Sequence, residues 1–103
     1  MEDMIMNLTK TLNGTELTIA LDGRLDTTTS PVLEKELAAC LDQAQSVVFD
    51  MSKLEYVSSA GLRVLLATHK KMLAKGGMIV RHVSEMVMEV FDVTGFSDIL
   101  TIE

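Results

Sequence analysis

The fold class of this chain is decided by the stretch Val47-Val48-Phe49-Asp50-Met51-Ser52-Lys53-Leu54-Glu55-Tyr56-Val57-Ser58-Ser59-Ala60-Gly61-Leu62. Its first three residues form an apolar run that ends at Asp50, a pattern typical of a strand buried on both faces. We expect a loop of about seven residues next, containing Leu54 and Tyr56. From Ser59 onward, apolar residues recur at helical spacing and predict an amphipathic helix. The predicted inner face of that helix carries Leu62, Leu65, Leu66, Met72 and Leu73.

Upstream of this stretch, the sequence predicts a β-hairpin. Residues Ile5 to Thr11 and Leu17 to Leu21 alternate apolar with small or polar residues, as strands do. Asn13-Gly14 lies between them and predicts a tight turn, because both residues tolerate positive φ. Gly23 breaks the alternation, so the second strand is expected to end there.

The first helix is predicted to begin at Ser30-Pro31. A hydroxyl residue as the cap and a proline at the first helical position are both favoured at this end of a helix. Apolar residues then recur at helical spacing and indicate the face that is buried. They are Leu33, Leu37, Leu41 and Ala44.

Downstream, the helix that follows the deciding stretch is expected to end at Lys75-Gly76-Gly77, where basic charge and glycine favour termination. Met78-Ile79-Val80 is predicted as another buried strand. Ser84 can cap a third helix that runs through about Val93 and ends at Gly95. Ile99 to Ile102 is predicted as a last short strand.

Together these elements predict the order ββαβαβαβ. Helices between successive apolar strands imply parallel pairing through right-handed crossovers, and the opening hairpin adds one antiparallel strand. The expected fold class is therefore α/β: a single-domain sandwich with one mixed, mostly parallel sheet and helices packed largely on one face.

Length, charge and cysteine content narrow the class of protein. A chain of 103 residues fits one domain that spans residues 1–103. The formal net charge of −6 argues against nucleic acid as a direct partner, which needs clustered Lys and Arg. The single cysteine, Cys40, excludes an internal disulfide and fits a reducing compartment. Because we find no signal-peptide pattern and no apolar run long enough to insert into a membrane, we expect a soluble, cytoplasmic domain.

Motifs for self-contained catalysis are absent from the sequence. His69 and His82 have no Cys or Asp at metal-ligand spacing, so no metal site is predicted. Gly76-Gly77 precedes a strand and lacks the spacing of a phosphate or dinucleotide loop, so we expect no cofactor. Ser58 and Ser59 lack the preceding glycine of a hydrolase nucleophile elbow. We therefore expect a non-enzymatic protein.

The paired serines Ser58 and Ser59 allow two interpretations. Serines that precede a helix are usually caps. Only one hydroxyl is needed for the cap, however, which leaves the other at the first turn or just outside it. The free N–H groups and the positive end of the helix macrodipole would tolerate a phosphate there. Phosphorylation would add about −1.5 to −2 charge and weaken the binding of a docked partner without unfolding the domain.

Several short motifs resemble those of STAS domains, the bacterial anti-sigma-factor antagonists. The junction between strand and helix carries two of them, Asp50-Met51-Ser52 and Val57-Ser58-Ser59-Ala60-Gly61-Leu62. Leu21-Asp22-Gly23-Arg24-Leu25-Asp26 matches the family's Gly-x-Leu-Asp segment after its second strand. Phe91-Asp92-Val93-Thr94-Gly95-Phe96 matches the segment that ends the third helix. The resemblance covers nearly the whole chain and agrees with the order ββαβαβαβ.

The resemblance implies Ser59 as a phosphoacceptor, because the family's modified serine lies two positions before a Gly-Leu pair. Ser58 stands where the family has an Asp, and it is an alternative acceptor. Ala60 stands where the family has Ser or Thr. The residues expected near the phosphosite or at the partner surface are Asp26, Thr27, Ser58, Ala60, Gly61 and Arg63.

The function that the resemblance implies is partner switching. The unphosphorylated antagonist would bind an anti-sigma factor that is also a serine kinase, the kinase would phosphorylate and release it, and a PP2C-type phosphatase would reset it. A second hypothesis is a non-enzymatic subunit of a transport or sensory signalling complex, as related STAS proteins are. A third, a small nucleotide-binding protein, follows only from the helix N-terminus as an anion site.

Overall fold

Within residues 6–103, which the computed structural model describes, strands and helices follow the predicted order ββαβαβαβ. The strands are β1 (Asn7–Asn13), β2 (Glu16–Leu25), β3 (Ser46–Val57), β4 (Met78–Arg81) and β5 (Thr101–Ile102). The helices are α1 (Ser30–Cys40), α2 (Ser59–Met72) and α3 (Glu85–Thr94). Short 3₁₀ turns at Leu41–Gln43 and Phe96–Asp98 follow α1 and α3.

The strands form one mixed sheet in the order β1-β2-β3-β4-β5. β1 runs antiparallel to β2, and the other neighbouring strands are parallel. Phe49 of β3 lies beside Ile19 of β2 and Val80 of β4. The chain therefore moves across the sheet by one strand at each helical crossover.

The hydrophobic core lies on one face of this sheet. Register and the alternation of side chains place Ile19, Phe49 and Val80 on that face, and all three are fully buried. The three helices add apolar side chains to the same core, which confirms the prediction that they pack largely on one face. The contributing helix residues include Leu33, Leu37, Leu62, Leu65, Val87 and Phe91.

Strands β2 and β3 are longer than predicted. β2 continues past Gly23 to Leu25, because Gly23 adopts a φ of 110° within an irregular part of the β2–β3 ladder. The prediction of a loop after Asp50 was wrong, because β3 continues to Val57. Pairing with β2 and burial of apolar side chains such as Leu54 keep this segment extended. As a result, Leu25 and Val57 lie side by side just before α2.

The prediction that Ser30 caps helix α1 was also wrong. The Ser30 hydroxyl has no hydrogen-bond partner among the described residues. Thr29 holds the turn instead: its Oγ1 accepts a hydrogen bond from the Asp26 N–H at 2.8 Å and donates one to the Arg24 carbonyl at 2.7 Å. Pro31 lies in the first helical turn as predicted.

The remaining element ends are close to the predicted ones. Ser84 caps α3 by accepting a hydrogen bond from the Val87 N–H, and Gly95 ends the helix in the left-handed conformation. Leu73, predicted on the inner face of α2, follows the helix and is 67% exposed. The last strand is shorter than predicted, because Phe96–Asp98 forms a 3₁₀ turn. The predicted start of the first strand, Ile5, lies outside the described residues.

Candidate functional site

The start of α2 is attached to the end of β2. The Ser58 N–H donates a hydrogen bond of 2.8 Å to the Leu25 carbonyl oxygen, directly beyond the pairing of Leu25 with Val57. Both of those apolar side chains are buried, so the junction rests on the core. The position of the two serines is therefore determined by the sheet.

Gly61 permits this close approach of α2 to β2. A Cβ atom at position 61 would lie 2.7 Å from Cγ of Leu25 and 3.0 Å from its carbonyl oxygen. Both distances are shorter than ordinary van der Waals contact, so a larger residue would displace the helix or Leu25. The part that Gly61 plays in the candidate site is thus to leave room for the junction.

The two serine hydroxyls of the junction differ in their contacts. Ser58 is the N-cap of α2, with an extended backbone, and its Oγ accepts a 3.4 Å hydrogen bond from the Gly61 N–H. Ser58 is half-buried, whereas Ser59 is exposed at the first helical position. Ser59 Oγ makes no hydrogen bond within the described part of the chain. One hydroxyl is therefore used by the fold, and the other faces solvent.

The first turn of α2 is suited to a negative charge. The N–H groups of Ser59 and Ala60 precede the first intrahelical bonds and donate to no backbone acceptor among residues 6–103. The first turn contains no acidic residue, and the basic residues of the last turn are at the opposite end. An anion beside Ser59 would therefore meet the positive end of the helix without a repelling carboxylate in that turn.

The turn between β2 and α1 follows Leu25 directly and so adjoins the junction. Asp26 organises it: Oδ1 accepts hydrogen bonds from the N–H groups of Thr28 and Thr29 at 3.0 and 3.1 Å. This is an Asx-type turn, which a short acidic side chain forms readily. Thr27, at the tip of the turn, is exposed. The structure therefore gives Asp26 a structural role and leaves Thr27 accessible to a partner.

The Asp26 carboxyl is held in its ionised form. Burial alone would raise its pKa, but the N–H groups of Thr29 and Thr28, the Thr29 hydroxyl and the nearby Arg24 guanidinium outweigh that effect. The pKa of Asp26 consequently lies below its ordinary value. The turn keeps a negative charge near the junction at neutral pH.

Arg24 is a residue of this region that sequence reasoning missed. Its guanidinium carbon lies 4.3 Å from the centre of the Tyr56 ring, a cation–π contact. Its Nε lies 3.8 Å from Oδ2 of Asp26. Arg24 and Tyr56 are neighbours in the β2–β3 register, and this pairing exists only because both strands extend beyond their predicted ends. No local spacing in the sequence indicates it.

A groove of about 370 Å³ lies between the first turns of α1 and α2. Thr27, Ala60 and Arg63, all predicted to lie near the phosphosite, contribute to its lining. Ser30 and Glu34 line it from the α1 side. Ser30 is only 3% exposed, and its Oγ has no hydrogen-bond partner in residues 6–103. The Ser30 hydroxyl is therefore enclosed by the protein beside the groove, and the accessible polar groups of the lining come from other residues.

The predicted site residues thus form two sets around Ser59. The first set lines the groove and consists of Thr27, Ala60 and Arg63. The second set supports the junction and the adjoining turn, and it consists of Asp26, Ser58 and Gly61.

Asp50, His82 and Cys40 make contacts within the fold. In the described part of the chain, no three His, Cys, Asp or Glu side chains are grouped as metal ligands. His82 Nδ1 lies 3.1 Å from Asp50 Oδ1, and hydrogen bonds from the Ser52 N–H and from His82 hold the pKa of Asp50 below its ordinary value. Burial raises the pKa of the Cys40 thiol, which lowers the fraction present as the nucleophilic thiolate.

Among residues 6–103, no helix has both the length and the apolar character to cross a bilayer.

The chain is similar in sequence to proteins of a described family. The family model of the STAS domain matches residues 7–103. BtrV of Bordetella bronchiseptica, named as a candidate anti-sigma factor antagonist, is 36% identical over 88 residues, which cover 84% of this chain and 76% of that protein. The anti-sigma-B factor antagonist of Bacillus subtilis is 28% identical over 100 residues, which cover 96% of this chain and 92% of that protein.

The fold is similar to that of SpoIIAA, an anti-sigma factor antagonist solved in two forms. The unphosphorylated form superposes with a TM-score of 0.79 at 19% identity, covering 96% of this chain and 88% of that chain. The phosphorylated form, from Bacillus, superposes with a TM-score of 0.71 at 18% identity, covering 96% of this chain and 91% of that chain. At these identities the likeness shows the α/β fold of the described residues.

Proposed function

The chain belongs to the STAS domain family, and on that premise we propose that it is an anti-sigma factor antagonist switched by phosphorylation of Ser59. The two relatives named as antagonists support the antagonist role, since each alignment covers most of both chains. A phosphorylated form is known for SpoIIAA, which has the same fold. That likeness supports a phosphorylation switch in this chain.

The single observation that carries the choice of Ser59 is the difference between the two hydroxyls. Ser59 is exposed and its Oγ has no hydrogen-bond partner among residues 6–103, so a kinase can reach it without breaking a contact of the described fold. The Ser58 hydroxyl is half-buried and already accepts the Gly61 N–H, so a kinase would have to break that contact to reach it. Phosphorylation of Ser59 would leave the cap intact and place the phosphate at the positive end of α2.

The proposed partner is an anti-sigma factor that is also a serine kinase. It binds the unphosphorylated antagonist around Ser59 and the groove lined by Thr27, Ala60 and Arg63. Phosphorylation then adds about −1.5 to −2 charge to the centre of this surface and weakens the complex through repulsion and desolvation. A PP2C-type phosphatase removes the phosphate and restores binding. Because such partners act on transcription, the proposal includes a cytoplasmic location.

Mass spectrometry after incubation with the kinase and ATP tests the site. We expect one phosphate on wild-type protein and on Ser58→Ala, and none on Ser59→Ala. The Ser58→Ala variant is the matched control, because it removes the neighbouring hydroxyl and leaves Ser59 exposed. Modification that persists in Ser59→Ala would contradict the site. A partner that binds both phosphorylated and unphosphorylated chains equally would contradict the switch.

A further inference from the structure

Arg63 lies four positions after Ser59 on helix α2. Residues at this spacing are neighbours on a helix surface, with Cβ atoms about 5–6 Å apart. Arg63 is exposed and forms no ion pair with another described residue. Its guanidinium is therefore available to an anion on Ser59.

Arg63 also lines the groove between α1 and α2. With successive residues about 100° apart around the helix axis, Arg63 lies between Ser59 and Ala60. Glu34 is the acidic residue of the groove lining on the α1 side, and it is not within ion-pair distance of Arg63. One guanidinium is thus shared between two possible sites, the Ser59 hydroxyl and the groove.

Arg63 supplies the positive charge of the groove lining. Its guanidinium presents several N–H donors to an acceptor group. In the unmodified chain, Arg63 therefore suits a carboxylate or carbonyl oxygen of the partner.

We propose that Arg63 couples phosphorylation to partner binding. Phosphoserine at position 59 binds the Arg63 guanidinium and draws it away from the groove. The inference rests on the proposed function, in which Ser59 is the phosphoacceptor. The new ion pair joins residues four apart on α2 and reinforces the helix. The groove is left with Glu34 as the unpaired charge of its lining, so an acidic or acceptor group of the partner loses its cation. Phosphorylation then weakens binding both by adding charge and by removing Arg63.

Phosphorus NMR on protein carrying phosphoserine at position 59 tests the pair. The phosphoserine is introduced during synthesis, so that no kinase is needed. A neighbouring cation favours the dianion and lowers the second pKa of the phosphate. We expect this pKa to rise by about 0.15–0.4 in the Arg63→Gln variant, the size expected for a pair at this helical spacing. In wild-type protein, phosphorylation should also shift the Arg63 side-chain N–H resonance.

Lys70→Gln is the matched control, because it removes the same charge from an exposed position of α2 far from Ser59. It should leave the phosphate pKa nearly unchanged, and Arg63→Lys should recover part of the wild-type value. Circular dichroism checks that all variants keep their helices. Equal phosphate pKa values in the Arg63→Gln and Lys70→Gln proteins would overturn the inference. An error in the proposed phosphoacceptor would appear in the mass-spectrometric test and leave this titration unaffected.

Discussion

The backbone N–H of Ser58 donates a 2.8 Å hydrogen bond to the carbonyl oxygen of Leu25. The two residues lie at the ends of different elements, one preceding α2 and the other ending β2. This bond holds the first turn of α2 against the C-terminal end of β2, an interior strand of the sheet. Since Ser59 comes next, the same bond determines where its hydroxyl reaches solvent.

Replacing Gly61 with alanine should loosen this junction. The new Cβ would lie 2.7 Å from Cγ of Leu25, and overpacking of this kind costs about 1–3 kcal/mol. The better helix propensity of alanine offsets up to about 1 kcal/mol of that cost. We expect a net loss of about 1–2 kcal/mol in the free energy of unfolding, measured by urea denaturation. In a Leu25→Ala background the Gly61→Ala change should cost less, and an equal cost in both backgrounds would disprove the contact.

The two serines should differ in their contribution to stability. Ser58→Ala removes the helix cap and should lower the free energy of unfolding by about 1 kcal/mol. Ser59→Ala removes an unbonded, exposed hydroxyl and should change it by less than about 0.5 kcal/mol. Urea denaturation of the two variants side by side measures both values. Equal losses would show that the assignment of the cap to Ser58 is wrong.

Ser59→Asp should separate binding from folding. A carboxylate at the first helical position interacts favourably with the positive end of α2, so the melting temperature should stay within a few degrees of wild type. Binding to the anti-sigma factor should weaken, because the partner surface gains a negative charge. Calorimetric titration measures the binding, with Ser59→Ala as the uncharged control. Unimpaired binding of the Asp variant would count against the switch, and unfolding would indicate a structural role for Ser59.

Asp26 should make the stability of the domain sensitive to acid. Its pKa is lower in the folded chain than the ordinary value of about 3.9, so its stabilising contribution is fully present above that pH. The contribution is lost as the pH falls through the folded pKa. Asn at position 26 can still accept hydrogen bonds but has no charge. In the Asp26→Asn variant, the free energy of unfolding should therefore depend less on pH in the acidic range.

Urea denaturation of both proteins between pH 6 and about pH 3 measures this difference. Asp50 also has a lowered pKa, so Asp50→Asn serves as the comparison for a carboxylate outside the junction. The stability of wild type and of Asp26→Asn should converge as the medium becomes more acidic. A constant difference across the whole range would show that the charge of Asp26 does not stabilise the fold.

The features that sequence alone determined are local or periodic. The element order follows from apolar periodicity along the chain, and the structure confirms it. The cap at Ser84 and the helix end at Gly95 depend on a few consecutive residues, and both are also confirmed. The apolar run at Val47–Phe49 predicted a buried strand for a similar reason, since a strand with both faces covered needs apolar residues at every position. The short motifs around Leu21–Asp26 and Val57–Leu62 were enough to indicate the family.

Only the tertiary structure decided the details of the candidate site. It ended β3 at Val57, because pairing with β2 outweighs the local pattern. The Ser30 hydroxyl has no hydrogen-bond partner in the described part of the chain. Thr29 stabilises the turn instead, because its Oγ1 donates a hydrogen bond to the carbonyl of Arg24 at the end of β2. The tertiary structure also gave the hydroxyls of Ser58 and Ser59 different contacts and exposure. Capping preference alone does not distinguish two adjacent serines, but docking of α2 on Leu25 turns one hydroxyl into the cap and exposes the other.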